Sequence, residues 1–244
     1  MMQIDVMTLF PEMIRAVMQE SIIGRAQARG LVRVRPVNIR DWADDKHRKA
    51  DDAPYGGGRG QVMLAEPLSR CHDALTRGVH VHTVLLSAQG RAFTQDTARR
   101  LLGTGRFILV CGHYEGIDQR FIDACVDEEI SIGDFVLTGG EIPAMAVADA
   151  VCRMVPGVLP DEEAFTEESH WDGLLEHPQY TRPEVWRGRP VPEVLLSGHH
   201  ANIVRWRRKM SLKRTLRDRP DLFARFIPRD KQDKKILEEL KKEG

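Results

Sequence analysis

Two glycine-rich segments lie close together in the middle of the chain and carry its clearest sign of ligand-binding chemistry. The first, Gly-His-Tyr-Glu-Gly at 112–116, directly follows the apolar run 107–111, which predicts a buried strand of a parallel sheet. The second occupies residues 132–141. Glycine lets a backbone approach a ligand closely or adopt a positive φ angle. Because ligands of open α/β sheets bind beyond the carboxyl ends of strands, the segment 107–145 predicts a small-molecule site.

The residues around this site alternate between strand and helix patterns. The patterns predict strands at 3–9, 31–39, 81–86 and 107–111, and helices at 11–28, 66–77, 94–102, 118–125 and 142–154. This order predicts an α/β domain with a mainly parallel sheet. The first strand is not followed by the pattern GxGxxG, which argues against a Rossmann-type nucleotide site and a Rossmann-fold methyltransferase.

Two segments interrupt the alternation. Residues 41–60 are polar and glycine-rich, which predicts an exposed loop, and the YGGGRGQ sequence at its end lacks the Gly-Lys-Ser/Thr of a Walker A motif. Residues 157–170 are acidic and begin with glycine and proline, as is typical of an interdomain linker.

The formal net charge of zero conceals an asymmetry. From residue 181 to the end of the chain there are 18 basic against 9 acidic side chains, and the rest of the chain carries the opposite excess. Residues 195–217 combine this charge with Ile203, Trp206 and Met210 at helical spacing, which predicts a small helical domain with a basic face. Such a face binds phosphates through a sequence-independent electrostatic term, although an ordinary solvated helical surface is the alternative.

Composition excludes several other classes of protein. No run of eighteen apolar residues occurs, so we expect no membrane span, and Asp5 with no preceding basic region argues against a signal peptide. The four cysteines form no CxxC pair and have no metal-ligand spacing with histidine, which indicates reduced thiols. Together these features predict a cytoplasmic protein.

Several long blocks, taken together, are recognisable. The segments 109–118, 131–145, 180–183 and 194–199, with the N-terminal IDVMTLFPEM and the YGGGRGQVM loop, closely resemble the bacterial tRNA (guanine-37-N1)-methyltransferase family over essentially the whole chain. The resemblance implies a SPOUT-class enzyme, with an α/β domain that has a mainly parallel sheet and a C-terminal trefoil knot, followed by a small all-α domain. It also implies an obligate homodimer with sites at the subunit interface. The expected boundaries are 1–156 for the cofactor domain, 157–172 for the linker and 173–244 for the helical tRNA-binding domain.

The resemblance also implies S-adenosylmethionine as the cofactor, bound by the loops of the knot. Carried over residue by residue, its contacts are Leu86, Ser87, Gly112, Tyr114, Glu115, Ile132, Gly133, Asp134, Phe135, Val136, Leu137, Gly139, Gly140 and Pro143. The family's equivalent of Ala88 is usually proline. That of Phe135 is often tyrosine, so this chain lacks one hydroxyl.

The implied reaction needs two charged groups. Guanine N1 carries a proton at neutral pH, so a carboxylate must accept that proton as the methyl group transfers, and a cation near O6 must stabilise the developing negative charge. The family places the carboxylate in an Asp-Ser pair, which aligns here with Glu168-Ser169. Glu167 and Asp172 are the alternative carboxylates. The resemblance makes Arg153 the cation, although an arginine at a helix end is also favoured by the helix dipole.

The remaining implied residues would contact RNA. Ser169, Tyr180 and Arg182 would shape the linker and the guanine pocket, and Arg205, Arg208, Lys209, Lys213 and Arg214 would bind the anticodon arm. The resemblance implies magnesium dependence, with no identifiable site. Two other functions stay open, a non-catalytic RNA-binding protein and a SPOUT methyltransferase of ribosomal RNA. The YGGGRGQ loop and the segment 180–183 favour the tRNA family.

Overall fold

The chain folds into two compact units. The computed structural model describes residues 1–161 and 163–243, and the units are Met1–Glu162 and Glu163–Gly244. The division between them lies inside the segment 157–172 that the sequence predicts as a linker. In the part of the chain that the structure describes, no helix is both long and apolar enough to cross a membrane.

The first unit is built on a five-stranded sheet with the order β2-β1-β6-β5-β7, in which every pairing is parallel. Its strands are β1 (Met2–Thr8), β2 (Val32–Asn38), β5 (His82–Ala92), β6 (Arg106–Cys111) and β7 (Glu128–Ser131), and β3 (Asp51–Asp52) pairs separately with β4 (Val62–Met63). The predicted α/β domain with a parallel sheet is confirmed. Strand β7 escaped prediction because it is short and begins with two glutamates, one of which forms an ion pair with Arg100.

The helices pack on both faces of this sheet. They are α1 (Pro11–Met18), α2 (Ser21–Ala28), α3 (Ala65–Thr76), α4 (Gln95–Gly103), α5 (Gln119–Cys125) and α6 (Glu141–Cys152), with a 3-10 turn at Ile39–Trp42. Ile108 and Val110 belong to a core cluster with Leu68 of α3 and Phe121 of α5. Because side chains alternate along a strand, the intervening Leu109 faces the opposite side of the sheet, where α6 packs against β1 and β6.

The predicted helix at 11–28 is wrong in one respect, because the structure has two helices there. Glu20 has an extended backbone and separates α1 from α2. Gly24 of α2 lies so close to the end of α1 that a Cβ would overlap the carbonyl group of Gln19. The glycine therefore allows a tight corner that the hydrophobic pattern alone does not reveal.

The second unit is mainly helical. Its elements are α7 (Glu163–Thr166), β8 (Val185–Trp186), β9 (Arg189–Pro190), α8 (Glu193–Leu196), α9 (His200–Asp218), α10 (Pro220–Phe223) and α11 (Lys231–Glu243). Leu174, Leu212, Ile236 and Leu240 form its core. The expectation of an all-α domain is corrected by the hairpin β8–β9. The segment 195–217, predicted to belong to a small helical domain, contains the end of α8 and most of α9, separated near Gly198, which has a φ of 70°.

Candidate functional site

Residues 85–89 of β5 and the loops that follow β6 and β7 surround a cavity of about 430 Å³. The three strands are neighbours in the sheet and parallel, so their carboxyl ends meet at one edge. This is where ligands of open α/β sheets bind, and the volume lies within the range of small-molecule sites. Of the predicted cofactor residues, the lining includes Leu86, Ser87, Gly112, Tyr114, Glu115, Ile132, Gly133, Phe135, Val136, Leu137, Gly139, Gly140 and Pro143. Asp134 is exposed and does not line the cavity.

The loop after β6 is shaped by an unusual backbone angle and by contacts with the 3-10 turn at Ile39–Trp42 and with Gln61, the residue before β4. Tyr114 has a φ of 60°, and its hydroxyl accepts a hydrogen bond from Arg40 at 3.0 Å. The backbone N–H of Glu115 donates to the carbonyl oxygen of Gln61 at 3.0 Å. The YGGGRGQ segment therefore ends against the rim of the cavity.

The loop after β7 turns back on itself. The hydroxyl of Ser131 donates to the carbonyl oxygen of Gly133 at 2.9 Å and accepts from its N–H at 3.2 Å. Gly133 has a φ of 152°, in a region that glycine alone adopts readily. A Cβ at this position would lie 2.5 Å from the ring of Phe135. Glycine at 133 therefore satisfies both the backbone angle and the packing of the aromatic ring.

The two glycine-rich loops touch each other at backbone level. The N–H of Gly140 donates to the carbonyl oxygen of Gly112 at 2.9 Å, and His113 forms an isolated β-bridge with Gly139. A Cβ on Gly140 would lie 2.6 Å from the Cα of Cys111, so no larger residue fits without a shift of the backbone. The cavity exists between these loops because they are held together at this point.

A buried polar network lies beneath the same contact. Glu141, at the start of α6, is 1% exposed. It accepts hydrogen bonds from the hydroxyl of Thr8 at 2.6 Å and pairs with Nε2 of His113 at 2.6 Å. Both carboxylate oxygens are thus satisfied, as a buried acidic group requires. The network ties the end of β1 to both loops of the cavity.

Arg153, the predicted cation, is the C-cap residue that directly follows α6 and is partly buried. Its backbone N–H donates to the carbonyl oxygen of Asp149 at 3.0 Å. A positive charge at this place is favoured by the partial negative charge of a helix C-terminus.

Glu168, the predicted base, lies in the second unit. Its segment is a compact turn in which the rings of Phe165 and Trp171 are 4.9 Å apart and the hydroxyl of Ser169 accepts from the N–H of Glu176 at 3.0 Å. Glu168 is partly buried and Glu167 is exposed. Glu168 lines a cavity of about 370 Å³ together with Arg207.

Asp172, an alternative base, is held in a partly buried ion cluster. Its carboxylate accepts from Arg208 at 2.6 Å and lies 3.3 Å from the guanidinium of Arg229. Arg208 also donates twice to Asp233, at 2.8 and 2.9 Å. These contacts assign structural roles to Asp172 and Arg208, because each charge is neutralised within the unit.

The same cluster determines how this unit responds to pH. The hydrogen bonds from Arg208 lower the pKa of Asp233 below its usual value, against the opposing effect of burial. The stabilisation is therefore fully present above the unfolded-state pKa of an aspartate and is lost as the pH falls through the lower folded-state value.

The other predicted RNA-binding cations are also near acidic groups. Arg205 donates to Glu239, whose carboxylate also lies 3.6 Å from Lys209, and Arg214 lies 3.7 Å from Asp218. Lys213 is exposed on α9. Arg182 and Tyr180 are exposed, and the ring of Tyr180 lies 6.2 Å from that of Trp206.

The comparisons with known proteins agree with one another. The family described as "tRNA (Guanine-1)-methyltransferase TrmD" matches residues 2–225 of the chain. A tRNA (guanine-N(1)-)-methyltransferase of Ruminiclostridium cellulolyticum is 56% identical over 227 residues, which cover 92% of this chain and 97% of the relative. The chain belongs to the tRNA (guanine-1)-methyltransferase family.

Further relatives support this membership. One of the same name from Dehalococcoides mccartyi strain CBDB1 is 53% identical over 241 residues, which cover 98% of this chain and 97% of the relative. Another, from Chloroflexus aggregans, is 56% identical over 226 residues, which cover 92% of this chain and 88% of the relative. The family predicted from the sequence blocks is therefore confirmed.

The structure adds residues to the candidate cavity that were not among the predicted cofactor contacts. Ala88, Gln89, His113, Gly116, Ile117, Gln119, Ile130, Ser131 and Thr138 also line the cavity. Thr8 and Glu141 support it from below. The sequence contains one pattern that points to Glu141. It is an acidic residue that directly follows the Gly139-Gly140 pair at the start of a helix, where a negative charge is favoured.

The contact between the two loops predicts a stability difference between two glycine variants. Gly140→Ala should lower the free energy of unfolding by about 1–3 kcal/mol, because its Cβ would overlap Cys111. Gly103→Ala is the matched control, since Gly103 ends α4 with no atom within 4 Å of its would-be Cβ. We expect it to be neutral or stabilising in urea unfolding. Equal loss in both variants would contradict a tight contact at 140.

Proposed function

We propose that the protein transfers a methyl group from S-adenosylmethionine to N1 of guanosine at position 37 of tRNA. The observation that carries the proposal is the family match over residues 2–225, in which the blocks 109–118 and 131–145 contribute most of the lining of one cavity in the first unit. The names of the relatives supply the guanine N1 chemistry and the tRNA substrate. A tRNA substrate also agrees with a cytoplasmic location.

The cavity suits S-adenosylmethionine in size and in the nature of its lining. Leu86, Ile132 and Leu137 offer apolar surface for an adenine ring, and the glycine loops offer backbone N–H and C=O groups for its polar edge. When bound, the cofactor supplies an electrophilic methyl group on a sulfonium.

The space around Gly112 also supports the binding of S-adenosylmethionine in this cavity. Its φ angle is not positive, and a Cβ there would meet nothing closer than a side-chain carbon of Ile117 at 3.8 Å. The protein itself therefore has room for a side chain at 112. That room is bounded by Ile117 and Leu86, which both line the cavity. We infer that glycine is needed here to leave space for the cofactor.

This inference predicts that Gly112→Ala separates binding from stability. The affinity for S-adenosylmethionine should fall about tenfold or more, because the methyl group would take space from the ligand. The free energy of unfolding should change by less than about 0.5 kcal/mol. Isothermal titration calorimetry and urea unfolding measure the two quantities, with Gly103→Ala as the control. Unchanged affinity would contradict the role of Gly112.

In the proposed mechanism, two side chains handle the charges on guanine. The carboxylate of Glu168 accepts the N1 proton as the methyl group transfers, and the guanidinium of Arg153 donates to O6 and stabilises its growing negative charge. Glutamate replaces the family's aspartate with the same functional group on a longer side chain. Asp172 is the weaker candidate for the base, because Arg208 and Arg229 already neutralise it.

The adjacent glutamates provide a matched test of the base. Glu168→Gln should lower kcat by about 10²- to 10⁴-fold, because the amide cannot accept the proton. The affinity for S-adenosylmethionine should stay near that of the wild type. Glu167→Gln changes the exposed neighbour by the same atoms and should keep nearly full activity. If kcat falls in the Glu167 variant and is unchanged in the Glu168 variant, the base is Glu167 and the assignment to Glu168 is wrong.

We also propose the SPOUT class, the trefoil knot and the homodimer that the family resemblance implies. The close backbone contact between residues 112 and 140 is the kind of approach that threaded loops need. Phe10, Met13 and Val17 lie exposed on one side of α1, and Ile142 lies exposed on α6, which contacts α1. An apolar surface of this kind supports pairing with a second copy, which would complete the site.

The proposal includes binding of the anticodon arm by the second unit and a requirement for magnesium. Among the described residues, no group of three or more histidine, cysteine or acidic side chains could hold a metal ion. We therefore assign no residue to magnesium.

Nucleoside mass spectrometry tests the proposed activity directly. Incubation of an unmodified tRNA transcript with S-adenosylmethionine and the protein should produce 1-methylguanosine. A transcript with adenosine at position 37 is the matched control and should produce none. Product from the control would place the modification at another position, and product only from ribosomal RNA would contradict the tRNA substrate.

A further inference from the structure

The hairpin β8–β9 of the second unit is exposed along its whole length. Every residue from 181 to 190 is exposed, and the two strands pair Val185 with Pro190 and Trp186 with Arg189. Arg187 and Gly188 connect the strands with φ angles of 50° and 75°. Two successive positive φ angles are typical of the tight type I′ turn, so the tip has a defined shape.

The tip presents an aromatic side chain to solvent. Trp186 is 54% exposed, which is unusual for so large an apolar group. The guanidinium of Arg187 lies over its indole ring, 4.8 Å from the centroid. This cation–π contact orients both planar groups, while about half of the Trp186 surface stays accessible to a ligand.

The hairpin also carries uncompensated positive charge. Arg182, Arg187 and Arg189 stand against the single acidic residue Glu184 in this segment. In the part of the chain that the structure describes, these three arginines make no ion pair. The hairpin thus offers positive charge that is not already engaged by the protein.

The contrast with α9 is informative. Arg205 and Lys209 share Glu239, Arg208 is engaged by two aspartates, and Arg217 pairs with Asp218. Much of the basic face that composition indicates is therefore neutralised within the unit. Ion pairs must be broken before those groups can bind a phosphate, whereas the hairpin arginines need only lose water.

The backbone of the hairpin is restricted before any ligand binds. Pro183, Pro190 and Pro192 flank the tip, and proline holds φ near one value. The N–H of Val191 donates to the carbonyl oxygen of Glu184 at 2.8 Å, which closes the base of the hairpin. A pre-ordered element loses little conformational entropy on binding.

We propose that this hairpin is an RNA-contacting finger, in which Trp186 stacks on an unpaired base of the tRNA and Arg187 and Arg189 neutralise neighbouring phosphates. Unpaired bases are recognised by stacking on aromatic rings and on planar guanidinium groups, and the combination with free arginines favours single-stranded RNA over an apolar protein partner. The inference rests on the proposed function, because that function identifies tRNA as the RNA that the hairpin would contact.

Binding of unmodified tRNA to the full-length protein, measured by fluorescence anisotropy over a range of salt concentrations, tests the finger. Trp186→Ala should weaken binding about tenfold, within the range for loss of one stacked base, and should leave the salt dependence unchanged. Trp186→Phe should restore most of the affinity, since it keeps an aromatic face. Arg189→Ala should lower the slope of log K against log salt by about 0.7, the value for one contact with a single strand.

Two controls separate this effect from general damage. Ile227→Ala removes an apolar side chain that is 81% exposed in the same unit and should leave tRNA binding unchanged. Arg217→Ala removes a charge already paired with Asp218, so its effect on the salt slope should be smaller than that of Arg189→Ala. Binding of S-adenosylmethionine should be normal in every variant, because its proposed site is in the first unit.

The outcomes distinguish this inference from the proposed function. If the wild type binds tRNA but forms no 1-methylguanosine, the proposed function is wrong. The effect of the hairpin variants on tRNA binding then still tests the finger. If the wild type methylates tRNA and Trp186→Ala binds it equally well, the finger is wrong. A Trp186 variant that keeps its tRNA affinity but no longer self-associates or binds a protein would also overturn it.

Discussion

The close backbone contact between the loop after β6 and the loop before α6 is the constraint on which the rest of the first unit depends. Gly140 donates to Gly112, and the space between Gly140 and Cys111 is too small for a Cβ. This single approach brings together two loops that are separated by a helix and a strand. The candidate cavity is the space that these loops enclose, so its shape depends on the small size of the glycines at their contact.

Buried polar groups stabilise the same contact from below. The carboxylate of Glu141 is fully inside the protein, where an unpaired charge would be strongly destabilising, and Thr8 and His113 satisfy it. Glu141 begins the 12-residue helix α6, which is about 18 Å long at 1.5 Å per residue, and Arg153 directly follows its last residue, Cys152. The position of Arg153 is thereby linked to the loops of the cavity.

The second unit shows that a basic composition and a basic surface are different properties. Arg208 was expected to bind RNA, yet it joins Asp172 and Asp233 in a largely buried cluster, and Arg205 is paired with Glu239. These arginines stabilise the helical unit through ion pairs with its own acidic residues, so their charges are already neutralised. The exposed arginines of the β8–β9 hairpin are not engaged in this way, so they stand out only when the ion pairs are known.

The sequence by itself determined the parallel α/β sheet, because strand and helix patterns are local. Its resemblance to a family supplied the family assignment and 13 of the 25 residues that line the cavity. The apolar run 107–111 predicts a buried strand, and the glycines after it predict loops of close approach. Only the tertiary structure decided which polar groups meet. Thr8, His113 and Glu141 are far apart in the chain, and the partners of Arg208 are 36 and 25 residues away from it. Such pairings depend on how elements pack, a long-range property that periodicity and composition do not encode.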